Sequence, residues 1–425
     1  MSAGSGSLRV PWERHTLPNG LRVVLSPDPS AVVGVNLWYG VGSRNERPGL
    51  TGFAHLFEHM MFQGSEHVPK NRHFELVERA GGSLNATTWF DRTNYFETLP
   101  SHQMELALYL ESDRMGWMLP ALTQEKLDNQ RDVVKNEKRQ RYDNQPYGDW
   151  DERMQAMVFP KSHPYHHTVI GSMEDLDAAT LEDVAGFFRT YYVPNNAVLS
   201  IAGDIVPERA LGAVERWFGE IPAGAPIPPL PGEPSLPPRI GETVRELVRA
   251  DVPLPRVIIA CRVPSYLDPA FHAVEVAGAL LGSGRASRLY RTLVRERRVA
   301  KDVTSYVFPL ITGASMMLVW ATGYPGADPA ELEGALVDQL EGLVTASEEE
   351  VARAVALTDT RFVRMLEEVS ERADLLSMFT LLFDDPDRLN REMEMIRSVT
   401  PADVRDVAGR WFGPDNRAVL TYLPK

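Results

Sequence analysis

A proline-dense run divides this chain into two stretches of nearly equal length that close on the same helix–turn–strand signature, and that repetition constrains the fold most. Between Ile221 and Pro238 stand Pro222, Pro226, Pro228, Pro229, Pro231, Pro234, Pro237 and Pro238. A run of this kind continues neither a helix nor a central strand, so it reads as a linker. Before it, Thr180-Leu-Glu-Asp-Val184 is followed by Tyr191-Tyr-Val-Pro-Asn-Asn-Ala-Val-Leu199. Near the end, Thr400-Pro-Ala-Asp-Val404 is followed by Trp411-Phe-Gly-Pro-Asp-Asn-Arg-Ala-Val-Leu420, the same order with one added residue, Arg417. Duplication is the economical reading. It predicts homologous domains over 1–220 and 240–425 with a linker over 221–239.

Each half opens on apolar strands, Leu21–Leu25 and Val32–Tyr39 in the first and Arg256–Val263 in the second, before helices take over. The segment Ser347–Phe379 reads as helical from a Ser347/Glu350 capping box onward. Strands and helices do not alternate regularly. The expectation is therefore α+β, each domain a mostly antiparallel sheet packed with helices.

The 425 residues are 44% apolar and 24% charged, a soluble globular balance that excludes disordered and collagen-like chains. A net charge of −14 argues against nucleic acid as a partner, because phosphate backbones are bound by basic surfaces. Cys261 is the single cysteine, so no internal disulfide and no cysteine-based metal site can form. Between Ile259, Ala260 and Arg262 it reads as a small core residue of a strand. The leading Met-Ser-Ala-Gly-Ser-Gly-Ser has no apolar signal core, and no stretch approaches 18 uncharged apolar residues. A reduced cytoplasmic protein without a membrane span is expected.

The chemistry concentrates at His55-Leu-Phe-Glu-His59. On a helix, His55 and His59 project from one face at ligand spacing. Thr51 is positioned to cap that helix, and the surrounding Phe53, Ala54, Leu56, Phe57, Met60, Met61 and Phe62 predict burial on nearly every side. Glu58 would then sit in a dry setting, a general base for metal-bound water. Two histidines four apart are by themselves more often core residues satisfied by backbone groups. The added glutamate reverses that preference, since His-x-x-Glu-His is the signature of zinc peptidases that invert the commoner His-Glu-x-x-His order.

A catalytic zinc takes three protein ligands, so one is missing from this turn. The stretch Gln124–Arg141 lacks Pro and Gly and reads as a helix with Leu127, Gln130, Val134 and Glu137 on one inward face. Glu137 is thus a candidate ligand, although spacing alone fits an ion pair with Arg141 or Lys138 equally well. Glu75 and Glu78 are weaker rivals on a more amphipathic helix.

With these residues in place, the chain resembles the pitrilysin, insulin-degrading enzyme and mitochondrial processing peptidase family of inverted-motif zinc metallopeptidases. The resemblance rests on Gly52-Phe-Ala-His-Leu-Phe-Glu-His-Met-Met-Phe62, Ala80-Gly-Gly-Ser-Leu-Asn-Ala-Thr with Thr93-Asn-Tyr95, Gln130-Arg-Asp-Val-Val-Lys-Asn-Glu137, His163-Pro-Tyr165 and Gly282-Ser-Gly-Arg-Ala-Ser-Arg-Leu289. It implies one Zn2+ per chain on His55, His59 and Glu137, with Glu58 as general base and no metal site in the second domain. It also implies that a peptide adds to the strand Leu84–Thr88 as an extra strand, with Asn85 and Ala86 beside the scissile bond.

Two departures from the family pattern matter. Gln130 stands where many relatives have a glutamate that supports a zinc histidine; a glutamine can still accept a hydrogen bond but brings no charge. Val294 and Lys301 stand where self-sufficient relatives have an Arg and a Tyr that bind substrate and stabilise the oxyanion; Arg295 and Arg298 are neighbours only. The expectation is a zinc endopeptidase subunit whose active site is completed by a homologous partner chain, as a heterodimer or homo-oligomer. The alternatives are a non-hydrolytic peptide-binding or scaffold subunit of a larger complex, and a chaperone-like chamber that binds peptides without releasing products. Gly282-Ser-Gly-Arg285 lacks a phosphate-loop pattern. His163, His166 and His167 read as turn residues, and Met115, Trp117 and Met118 as core packing.

Overall fold

A computed structural model describes residues 9–425, so the leading Met1–Ser7 considered above lies outside the described residues. The chain forms two compact units, each built on one sheet. Among the described residues the first unit comprises 9–135, 169–229 and 363–392, and the second 136–168, 230–362 and 393–425.

The first sheet contains β1 (Glu13–Thr16), β2 (Arg22–Pro27), β3 (Val32–Tyr39), β4 (Ser83–Thr88), β5 (Thr93–Pro100) and β6 (Ala197–Gly203), in the order β1-β2-β6-β3-β5-β4. The second contains β7 (Thr243–Ala250), β8 (Arg256–Val263), β9 (Ala300–Phe308), β10 (Ser315–Gly323) and β11 (Arg417–Pro424), in the order β7-β11-β8-β10-β9. Removing β1 makes the two sheets superimposable in connectivity and direction. β2 pairs in parallel with β6 as β7 does with β11, and every other pairing is antiparallel. The α+β class and the internal duplication expected from the sequence are both present.

The repeated signature folds as read. Thr180 and Thr400 each form a capping box with the Asp three residues on, opening helices Leu181–Tyr191 and Pro401–Trp411. Asn196 Nδ2 then donates to Tyr191 O at 2.8 Å, and Asn416 Nδ2 to Trp411 O at 2.7 Å. Both strands start directly after that asparagine, so Arg417 takes the first position of β11 rather than standing ahead of it as an insertion.

The contiguous division 1–220 and 240–425 differs from the compact units, because the halves exchange segments. The stretch read as helical, Ser347–Phe379, forms two helices, Glu348–Met365 and Val369–Phe383, and the second packs on β3 and β6 of the first sheet. Its fit there is tight: a Cβ added at Gly34 of β3 would lie 3.0 Å from the Ser370 backbone. In return, helix Trp150–Val158 packs on β11 and β8 of the second sheet. Burial of an apolar helix face on whichever sheet it fits decides the unit, and sequence order does not.

Smaller expectations resolve plainly. Cys261 lies in β8 with its thiol pushed up to about 12 by burial, so it is inert core. Met115 and Met118 are buried, while Trp117 is partly exposed. His163 is a turn residue whose Nδ1 accepts from Tyr165 N at 3.1 Å and whose Nε2 lies 3.2 Å from Pro234 O. No helix among the described residues is long and apolar enough to cross a membrane.

Candidate metal centre and substrate edge

The motif forms a two-turn helix, Phe53–Met60. Its start differs from the sequence expectation. Thr51 does not cap it: the Thr51 hydroxyl donates to Asp175 at 2.6 Å and accepts from Ser172 N at 3.1 Å. Instead the buried Glu46 carboxylate accepts from Gly52 N at 2.9 Å and Ala54 N at 2.7 Å, satisfying free helix N–H groups with a negative charge at the positive end of the helix. Gly52 itself sits at φ +85°, and a Cβ there would lie 2.6 Å from Ile170 O. Only glycine fits.

Burial of this helix is one-sided. Phe53, Ala54, Leu56, Phe57 and Met60 are buried, with the Phe57 ring 4.2 Å from that of Tyr192. His55, Glu58 and His59 form a partly exposed stripe, so Glu58 is not in the dry setting expected of a helix buried all round. The two imidazoles meet edge to face with ring centroids 4.8 Å apart. Phe, Leu and Met fill the inward positions and leave the three polar residues together on the opposite face.

Helix Gln124–Lys138 carries the third group. Its inward face is as predicted, with Leu127 and Val134 fully buried and Gln130 6% exposed. The boundary between the units falls after Lys135, inside this one helix, so the helix itself places Glu137 in its last turn. Ligand atoms of His55, His59 and Glu137 all lie within 4.8 Å of one another. Two imidazoles and a carboxylate at that separation match the His2Glu donor set of a catalytic zinc with an open position. Glu137 also meets Arg141 at 2.8 Å, and because Arg141 is 73% exposed it can leave for solvent when a cation takes the carboxylate. Directly after Glu137 the helix widens into a π-helical stretch, Arg139–Asp143. Of the rivals, Glu75 is exposed and paired to Arg72 and Arg79, and Glu78 is exposed.

β4 forms the free edge of the first sheet, paired only with β5 among the described strands. Asn85 is exposed there and Ala86 is 6% exposed. Thr88, at the end of β4, donates its hydroxyl to Glu58 Oε2 at 2.5 Å, a bond between the edge strand and the motif helix that no sequence pattern signals. On the opposite face of this hairpin, Thr87 Oγ1 donates to Asn94 Oδ1 at 2.6 Å, and Arg92 donates to Thr87 O at 2.8 Å and also to Thr87 Oγ1. Asp374 Oδ1, on the exchanged helix Val369–Phe383, accepts from Asn36, Trp38 and Asn94 at 3.0, 2.7 and 3.0 Å. Equally unforeseen is a fully buried ionic cluster in which Arg114 is paired with Glu111 and Glu97, with the guanidinium 4.1 Å from the Tyr95 ring. Burial, reinforced by Glu111, pushes the Glu97 carboxyl well above the usual range.

With this geometry established, comparison with known proteins becomes specific. The family model described as Insulinase (Peptidase family M16) matches residues 22–162, and that described as Peptidase M16 inactive domain matches residues 178–358. The zinc protease PqqE of Helicobacter pylori is 30% identical over 423 residues, which is 97% of this chain and 92% of the relative. The chain belongs to peptidase family M16. Among other M16 relatives, the probable mitochondrial-processing peptidase subunit beta of Arabidopsis thaliana is 28% identical over 63% of this chain and 50% of its own length. A crystal structure of a protease from Helicobacter pylori aligns with a TM-score of 0.91 at 28% identity, covering 98% of this chain and all of that one. An M16 inactive domain from Pseudomonas fluorescens shares the fold, with a TM-score of 0.85 at 16% identity over 98% of both chains.

Within this M16 chain the second half lacks the motif. Helix Phe271–Gly282 follows β8 as the motif helix follows β3, and aligning Phe271 with Phe53 sets Ala273, Val276 and Ala277 where His55, Glu58 and His59 stand. All three are buried in an apolar core. Gln130 donates its amide to Asn129 Oδ1 at 2.9 Å, so its amide N–H groups point along its own helix. Val294 lies in a π-helical stretch, Tyr290–Glu296, packed against the core, and Lys301 is exposed on β9.

Proposed function

We propose that this chain is a zinc-dependent endopeptidase acting on extended peptides. The convergence of His55, His59 and Glu137 within 4.8 Å, with Glu58 on the same helix face as the histidines, carries the reading. His55, His59 and Glu137 would hold the ion, and Gln130 lies two helical turns before Glu137. When bound, zinc acts as a Lewis acid that polarises the scissile carbonyl and acidifies water.

The remaining work belongs to the chain. The peptide lies along the free edge of β4, its main chain replacing the missing neighbour strand, with Asn85 and Ala86 beside the bond to be cut. Glu58 accepts a proton from the attacking water as the C–O bond forms, then delivers it to the leaving nitrogen as the C–N bond breaks. Arg141, exposed beside Glu137, would turn to solvent to leave that carboxylate for the ion.

The Val294 and Lys301 positions offer no Arg/Tyr pair, so oxyanion stabilisation falls to a homologous partner subunit or a second copy. The test is zinc analysis together with cleavage of a quenched peptide library, comparing wild type with Glu58→Gln, alone and with a homologous chain. Expected are one zinc per chain in both proteins and cleavage only with Glu58. Stoichiometric zinc with no Glu58-dependent cleavage under either condition would refute the peptidase reading, and full turnover that no partner improves would refute the shared site.

A further inference from the structure

We propose that Thr88 is a positioning residue for Glu58, tying the alignment of the general base to the strand that receives the peptide. The inference rests on the peptidase reading above and deepens it.

Glu58 is partly exposed, and a glutamate in that setting has several rotamers to choose from. General-base catalysis needs one of them, since the accepting oxygen must meet the water proton at hydrogen-bond distance. The Thr88 hydroxyl, 2.5 Å from Oε2, is an O–H donor to a carboxylate, the short and strong class of hydrogen bond. By engaging Oε2 it holds the carboxylate in one orientation.

The donor is itself well fixed. Thr88 faces Thr93 across the β4–β5 ladder, and the Thr93 hydroxyl is anchored to Val41 O at 2.9 Å. Its neighbour Thr87 is locked on the other face by Arg92 and Asn94, and Asn94 by Asp374. The same strand has a free edge, so a peptide that pairs with β4 meets a base already aligned by the strand it pairs with. Loss of the hydroxyl should lower kcat with little change in KM, because the edge hydrogen bonds of β4 are main-chain.

The test compares Thr88→Val, which keeps shape and strand propensity, with Thr88→Ser, which keeps the donor. The expected result is a kcat about 10- to 100-fold lower in Thr88→Val, the range for misplaced catalytic groups, with KM and zinc content near wild type and most of the rate restored in Thr88→Ser. A second readout uses zinc-free protein and no substrate: melting shifts for Thr88→Val and Glu58→Ala should be non-additive in the double variant. Wild-type kcat in Thr88→Val, failure of serine to restore the rate, or additive melting shifts would each overturn the positioning role while leaving the peptidase reading intact. Absence of Glu58-dependent cleavage in wild type would instead overturn that reading, and this inference with it.

Discussion

Replacing Asp374 with alanine should loosen the contact between helix Val369–Phe383 and the first sheet. Asp374 Oδ1 accepts three hydrogen bonds, from Asn36 Nδ2, Trp38 Nε1 and Asn94 Nδ2, and these donor residues are 2%, 3% and 2% exposed. Asn94 Nδ2 has a second acceptor, Asn36 Oδ1 at 3.2 Å, so alanine leaves two buried donors without a partner. Each unsatisfied donor costs about 1–3 kcal/mol. Release of the buried carboxylate offsets part of that, giving an expected loss of about 2–4 kcal/mol. Asparagine keeps an oxygen at the Oδ1 position and should cost less than about 1 kcal/mol, chiefly the lost attraction to Arg92.

Burial raises the Asp374 carboxyl above its usual range despite the opposing Arg92 charge. A raised folded-state value stabilises the fold below the unfolded value of 3.8, and that advantage is lost as pH rises through the folded value. The stability of wild type relative to Asp374→Asn should therefore be greatest in acid and decline upward. Hydrogen exchange read on peptides from β3 and from helix Val369–Phe383 isolates this contact from the other unit. If exchange in both peptides is the same in wild type and Asp374→Ala, the hydrogen-bond reasoning is refuted.

Two further outcomes are expected. Glu46→Ala removes the acceptor for Gly52 N and Ala54 N and should destabilise the motif helix by about 1–2 kcal/mol, weakening zinc binding, while Glu46→Gln retains part of both; zinc titration with thermal melting would expose an error if alanine binds zinc as wild type does. His163 is lowered to about 4 from 6.5 by burial, so the fold favours its neutral form. Its contribution is present above pH 6.5 and lost as pH falls toward 4, and His163→Gln should flatten that part of the unfolding-midpoint profile.

What the sequence could show followed from periodicity and local chemistry. Leu127, Gln130, Val134 and Glu137 share a face because helical spacing requires it, and the capping boxes at Thr180 and Thr400 need only residues three apart. The motif was legible for the same reason. Its exposure was misjudged because a run of Phe, Leu and Met reads as burial on all sides, whereas three polar residues at helical spacing suffice to open one stripe.

Contacts between distant segments were illegible. Glu46 is an ordinary loop glutamate until the chain folds it under the helix start, and Thr88 meets Glu58 only because β4 lies beside the motif helix. Nothing in the alternation of Val369–Phe383 says which sheet it will cover. The Glu97, Glu111 and Arg114 cluster arises from three elements that carry no shared pattern.

The reciprocal exchange of helices bears on the protein's ancestry. A product ending at the proline run would have β3 and β6 without the helix that covers them, and helix Trp150–Val158 without the sheet it covers. Two such products relieve both defects by swapping, the inexpensive route from monomer to symmetric dimer. Fusing the two genes would then preserve the trade inside one polypeptide. The second half carries Ala273, Val276 and Ala277 at the motif positions, yet it cannot be discarded, because the half that carries the motif folds around a helix encoded at the far end of the other.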